Sequence, residues 1–150
     1  MAEAVAVIAA ITALCAVVLG PLVSLWAAQK QTRVAVLANN RQAWINSLRD
    51  AFAEFVSLST NVALVKDEEL VEKVERLGYV EVRIKLMLNP KEADHQHLMD
   101  AVTAMRIAAA ATIRNPTETA KQNLIESTKK LMPQIQSVLK REWERVKRVE

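Results

Sequence analysis

From Ala4 to Ala28 the chain reads AVAVIAAITALCAVVLGPLVSLWAA, with no charged side chain. About 20 helical residues rising roughly 1.5 Å each cross the ~30 Å hydrocarbon core of a bilayer. The run therefore predicts a transmembrane anchor at 1–29, followed by a charged, helix-patterned domain at 30–150. A secretory signal fits less well. Such a signal starts basic, carries a shorter apolar stretch and ends on small residues. Here the start is Met1-Ala2-Glu3, and Trp26 stands where a small residue belongs. Cys15 follows Leu14 inside the run and does not look like a lipoprotein attachment site.

The flanking charges give an orientation. Lys30, Arg33 and Arg41 follow the span and only Glu3 precedes it. Positive charge is retained on the cytoplasmic side, so the N-terminus is expected outside and residues 30–150 inside, with Trp26 at the inner headgroup level. The single cysteine, placed in lipid by this reading, leaves no intrachain disulfide framework and fits a reducing compartment.

Two phrases punctuate the rest, Asn89-Pro90-Lys91-Glu92 and Asn115-Pro116-Thr117-Glu118. Each reads as an Asn cap, a Pro at the first helical position and a Glu reaching back from the third. A third break is expected at Lys66-Asp67, with Asp67 capping a helix that opens on Glu68 and Glu69. Four helices follow, at roughly 30–66, 68–88, 90–114 and 116–149.

The first carries a stripe of Val34, Leu37, Ala38, Ile45, Leu48, Phe52, Phe55 and Val62, edged by Trp44 and Leu58. The second repeats Leu70, Val74, Leu77, Ile84 and Leu88, and the third Leu98, Val102, Met105, Ala109 and Ile113. The fourth repeats Leu124, Leu131, Ile135, Val138 and Val146, with a bend expected at Pro133. Short connections make sequential helices antiparallel. The fold class is all-α: an N-terminal transmembrane helix and an up-down antiparallel domain of four-helix-bundle type.

At ~1.5 Å per residue the outer helices run about 50–55 Å and the inner two about 31–37 Å. The shorter hairpin is then expected to leave a membrane-near apolar strip uncovered at Val34, Leu37, Trp44, Val138, Trp143 and Val146. A second copy of the chain is the simplest cover. Charge follows a similar division. Residues 30–66 carry five basic and two acidic groups, 67–100 five and nine, and 101–150 ten and five. Lys140, Arg141, Arg145, Lys147 and Arg148 read first as a solvated face interleaved with Glu142, Glu144 and Glu150. Their alternative reading is a return towards anionic lipid.

Catalytic chemistry finds little footing. Glu92-Ala93-Asp94-His95 has the Glu-x-x-His spacing of di-iron bundles, but it occurs once, and such a site needs a second copy and two more carboxylates. His95 and His97 point about 200° apart on a helix and cannot share a metal. A solvated first helical turn is the plainer reading, so no metal or cofactor is expected. No Ser or Cys is paired with a base, and no glycine-rich loop cradles a phosphate, so no enzyme is expected. Basic groups interspersed with acids, with Trp143 alone among them, do not make a nucleic-acid surface.

Within the span, Thr12, Ala16, Gly20 and Ser24 recur every four residues, and Ala9 and Ala13 form a second pair. Small faces let helix backbones approach in lipid, where no hydrophobic drive brings them together. Pro21 is expected to bend the span.

Three phrases carry a resemblance: Arg41-Gln42-x-Trp44-Ile45-x-x-Leu48-Arg49-Asp50, Arg83-Ile84-x-Leu86-x-Leu88-Asn89-Pro90 with Asp94 and His95, and Leu139-Lys140-Arg141-Glu142-Trp143-x-Arg145-Val146-Lys147. Together they resemble a group of short single-span bacterial membrane proteins with a cytoplasmic helical domain. The resemblance implies the architecture and a bacterial or phage source, and transfers no functional residue.

The leading expectation is a homo-oligomeric scaffold or interaction protein of the bacterial inner membrane. It would assemble through Thr12, Ala16, Gly20, Ser24, Leu37, Arg41, Trp44, Arg49, Val138 and Trp143. Arg41 and Arg49 lie on or beside an apolar face, where an unpaired charge is costly, so acidic partners are expected for them from another helix or another chain. The partners are the chain itself and membrane lipid, with an unidentified cytosolic protein as a further candidate and no nucleic acid. Two alternatives are a small channel or membrane-permeabilising assembly, and a regulatory adaptor docking a cytosolic partner through the acidic hairpin.

Overall fold

The computed structural model describes residues 1–61 and 67–148; the side chains at 2, 10, 11, 15, 18, 67 and 68 also fall outside the description. Val62, the break at Lys66-Asp67, its Glu68 turn and the environment of Cys15 therefore lie outside the described residues. Those residues form four helices and no strand: α1 (Ala2–Asn61), α2 (Asp67–Met87), α3 (Ala93–Arg114) and α4 (Glu118–Lys147). The chain makes two compact units, Met1–Asn40 and Arg41–Arg148.

The first unit is the N-terminal part of α1. No helix boundary falls at residue 29 or 30, because nothing between Pro21 and Asn61 stops a helix. Pro21 is accommodated inside it. Thr12, Ser24 and Thr32 donate to the carbonyls of Ile8, Gly20 and Ala28, at 2.8, 2.9 and 2.9 Å. The hydroxyls of the apolar run are thus satisfied by their own helix. Its hydrophobic side chains are not buried: Val5, Leu14, Val17, Leu22 and Leu25 all stand exposed.

The second unit encloses one core fed by all four helices. From α1 come Leu48, Ala51, Phe52 and Phe55; from α2 Leu77, Val80 and Ile84, followed by Leu88. Leu98, Val102, Met105 and Ala109 come from α3, and Leu124, Leu131, Ile135 and Val138 from α4. The three- and four-residue spacings place each set on one helix face. Among the described residues α3 and α4 make the most extensive backbone contact. Thr112 bridges them, its Oγ1 2.9 Å from the Ala108 carbonyl and 3.2 Å from that of Ala120. Val74 leaves the expected stripe and is exposed, while Val80 joins it.

Both Asn-Pro phrases work differently from expectation. Asn89 does not cap a helix at Pro90. Its Oδ1 accepts from the Lys91 N–H at 3.1 Å, making a turn before α3 opens at Ala93. Asn115 closes α3, its N–H donating to the Ala111 carbonyl, with extended dihedrals of the kind a following proline imposes. Thr117 is the cap of α4, its hydroxyl accepting from the Ala120 N–H at 3.2 Å. In each phrase the proline precedes the helix, because the turn uses it first.

Candidate functional site

Where the core stripes of α3 and α4 run on, they meet in polar residues. The series Leu131, Ile135, Val138 continues to Glu142, and Leu98 is preceded on its face by His95. Glu142 is 4% exposed and His95 2%. Buried charge is costly unless paired, and here the pairing is dense.

Arg141 reaches across to Glu92 Oε2 at 2.7 Å, to Glu142 Oε1 at 2.9 Å and to Asp94. Arg145, one turn on, contacts Glu142 Oε1 at 2.8 Å and Glu92 Oε2 at 3.2 Å. Three carboxylates thus surround two guanidinium groups from one helix. Arg41 and Trp44 of α1 line the same recess, a cavity of about 290 Å³, with Met87, Asn89, Glu92, His95, Glu142 and Arg145. With Arg41 the formal charges balance, three acidic against three basic.

The turn between α2 and α3 positions the acidic half. Asn89 Nδ2 donates to Glu92 Oε1 at 3.1 Å, and the Asn89 backbone N–H donates to His95 Nδ1 at 2.9 Å. His95 Nε2 lies 3.0 Å from Arg141 Nη2, beside the carboxylates. The Trp44 indole donates to the Met87 carbonyl at 3.1 Å, satisfying the C-terminal end of α2, and its ring lies 6.4 Å from that of His95.

These contacts set the ionisation. Burial alone would raise the Glu92 carboxyl, but the Asn89 hydrogen bond and the charges of Arg141 and Arg145 hold it below its ordinary value. Burial likewise opposes ionisation of Asp94, and the Arg141 hydrogen bond and charge outweigh it. For Arg141, burial lowers and the hydrogen bonds to Asp94 and Glu142 raise, leaving the guanidinium more firmly charged.

Ligand atoms of Glu92, Asp94 and His95 lie within 4.8 Å of one another, a spacing suited to a metal ion. The chemistry of the surroundings does not suit one. The Arg141 guanidinium already bonds both carboxylates, and a divalent cation would have to displace it. Nor does the recess hold a nucleophile with a base: its convergent groups neutralise one another.

The ten residues expected at an interface are dispersed. Thr12 and Ser24 bond their own helix, and Gly20 faces open space. Ala16 and Leu37 are exposed. Arg41 is half-buried in the recess, and Arg49 donates to Asn46 Oδ1 of its own helix at 3.0 Å. Among the described residues neither arginine has an acidic partner. The strip thought to lie uncovered is narrower than expected. Trp44 is half-buried with its indole bonded, and Val138 is 2% exposed, both within the second unit. The α2–α3 turn reaches them. Trp143 remains open at 42%, with Lys147 Nζ 5.6 Å over its ring.

Arg141 and Arg145 are neither a bare solvated face nor groups free to meet lipid. The signal that could have found them is periodic: Glu142 sits on the core stripe of α4, flanked at 141 and 145 by arginines. Glu81 follows the same pattern in α2, 7% exposed, and contacts Lys85 at 2.8 Å and Arg106 at 2.6 Å. No known protein family, curated protein or solved structure matches the chain.

Proposed function

We propose that this chain is a membrane-anchored, homo-oligomeric scaffold or interaction protein of the bacterial inner membrane, without catalytic activity. The observation that carries this reading is the N-terminal part of α1. It holds an 18-residue window of mean hydropathy 2.6, none of which is buried. A soluble core helix of that composition would be covered by its own chain. An uncovered one needs lipid or other apolar surface. Flanking charge places the N-terminus outside and the rest of the chain in the cytoplasm. The second unit is read as an up-down four-helix bundle. Its ion network neutralises itself, as a structural lock does.

Self-association is supported by the small-residue face at Thr12, Ala16, Gly20 and Ser24, where nothing lies within 4 Å of a Cβ built on Gly20. An adaptor is the second reading, favoured by α2. That helix buries one face, and along the other exposes Val71, Val82 and Leu86, at 65, 55 and 83%. Exposed apolar patches of this sort mark protein contacts. A pore has less support, since Thr12 and Ser24 spend their hydroxyl protons on their own backbone.

The deciding experiment is the mass of the full chain in mild detergent, by light scattering with the detergent subtracted. A defined oligomer that Gly20→Ile weakens supports the scaffold. A stable monomer overturns it in favour of the adaptor.

A further inference from the structure

We infer that Trp26, Gln29, Lys30 and Arg33 form a headgroup site for an anionic phospholipid, binding its phosphate at the end of the apolar run. The inference rests on the membrane reading and deepens it. These residues stand at i, i+3, i+4 and i+7, so one face of α1 carries all four. Together they line a recess of about 300 Å³. The Lys30 ammonium is held 5.4 Å from the centre of the Trp26 ring. That contact fixes a cation beside the indole and at the edge of the uncharged segment ending at Ala28.

The chemistry of the recess is that of an oxyanion receptor. The indole N–H, ammonium and guanidinium are donors without acceptor capacity, and Gln29 adds an amide N–H. A phosphodiester offers only acceptors, and a guanidinium can engage two of its oxygens at once. The long-range field agrees. Between Glu3 and Asp50 there is no acidic residue, while Lys30, Arg33, Arg41 and Arg49 all fall in that interval. Among the described residues neither Lys30 nor Arg33 makes an ion pair.

The same geometry selects the headgroup. A choline cation would bring its positive charge against Lys30 and Arg33. A glycerol headgroup brings the phosphate without the opposing cation. The two basic groups therefore favour net negative lipid, and the acyl chains continue along the exposed Leu22 and Leu25.

The test uses the full chain in nanodiscs of phosphatidylcholine alone or with about one third phosphatidylglycerol. Native mass spectrometry counts the lipids retained per chain. The unmodified protein should retain phosphatidylglycerol in preference to phosphatidylcholine. Lys30→Gln with Arg33→Gln should lower that preference about ten-fold or more, given the strength of basic groups at an anionic surface. Lys129→Gln with Lys130→Gln, two exposed groups of α4, should leave it unchanged. Inorganic phosphate at millimolar concentration should not displace the lipid. Unchanged preference in the Lys30/Arg33 variant, while it still enters discs, overturns the site but leaves the membrane anchor standing. Displacement by free phosphate overturns the lipid assignment in favour of a simple anion site. Failure of the unmodified chain to enter discs overturns the membrane reading itself.

Discussion

The N-terminal half of α1 and the helices of the second unit use the same side chains, Val, Leu, Ile and Ala, to opposite ends. In the second unit apolar residues return every three or four positions, and Leu48, Phe55, Ile84, Leu98 and Leu131 are all buried. Before Gln29 the apolar residues are continuous, and Val5, Leu14, Val17 and Leu25 are exposed. Periodicity separates the two. A periodic helix has one apolar face, which other faces of the same chain can cover. A helix apolar all round has no face to turn to water, so it needs apolar surroundings on every side. Polar groups differ too: the hydroxyls of Thr12 and Ser24 fold back on their own helix, and in the second unit Arg141 and Arg106 also bond across helices.

This contrast breaks most visibly under truncation. Phe55→Ala, in the packed core, should cost about 3–5 kcal/mol of the unfolding free energy of the second unit. Val17→Ala should change it by no more than about 0.5 kcal/mol, since Val17 has no packed environment to lose. Urea denaturation of the full chain in mild detergent, followed by intrinsic tryptophan fluorescence, measures both. Equal effects would mean that the apolar run is packed into the second unit after all.

The ion network should come next in magnitude. Arg141→Met removes the cation shared by Glu92, Asp94 and Glu142 and leaves a nearly buried carboxylate at 142. The cost should be about 2–3 kcal/mol, below the ~3–5 of a fully buried pair, because Arg141 is 32% exposed. Glu92→Gln combined with Asp94→Asn should cost less, since Glu142 remains to pair both arginines. If Arg141→Met is neutral in the same denaturation assay, the network is a surface ornament and not a lock.

Acid should weaken the lock as well. The Glu92 and Asp94 carboxyls are held below their ordinary values, so they bind protons less readily folded than unfolded. Their stabilisation is complete above the unfolded values near pH 4 and fades as pH falls through the lower folded ones. Urea midpoints measured between about pH 5 and 2 should drop, and the drop should be shallower in the Glu92→Gln/Asp94→Asn variant. A parallel fall in both proteins would place the sensitivity elsewhere.

Much of the helical pattern was legible in the sequence, because residues such as Leu98, Val102, Met105 and Ala109 announce their face by spacing alone. The ion network was not. Glu142 and His95 sit on core stripes, but a polar residue on a stripe reads as a break in the pattern until its partner is known. Arg141 lies 47 residues from Asp94 and 49 from Glu92 in the chain, and spacing carries no information over that distance. The uncovered strip is narrower than expected for a related reason. Helix lengths alone do not say how far up α1 the α2–α3 turn reaches, and it reaches Trp44.

The smallest expected effect concerns where helices stop. Along the apolar run nothing ends α1, and the second unit depends on caps to end and restart its helices. The Asn-Pro phrase points to Asn115 as the cap of α4, but it is Thr117 that accepts from a helical N–H, that of Ala120. Asn115 is extended before Pro116 and uses its backbone N–H to close α3, a contact that does not need its side chain. Thr117→Ala should therefore cost about 1 kcal/mol, the usual loss of a hydroxyl cap. Asn115→Ala should cost less than about 0.5 kcal/mol. Thr117→Asp should restore the loss, because a carboxylate there caps the same N–H and meets the positive end of α4. The reverse order, with Asn115→Ala the costlier change in thermal unfolding, would return the cap to the residue that the Asn-Pro phrase first suggests.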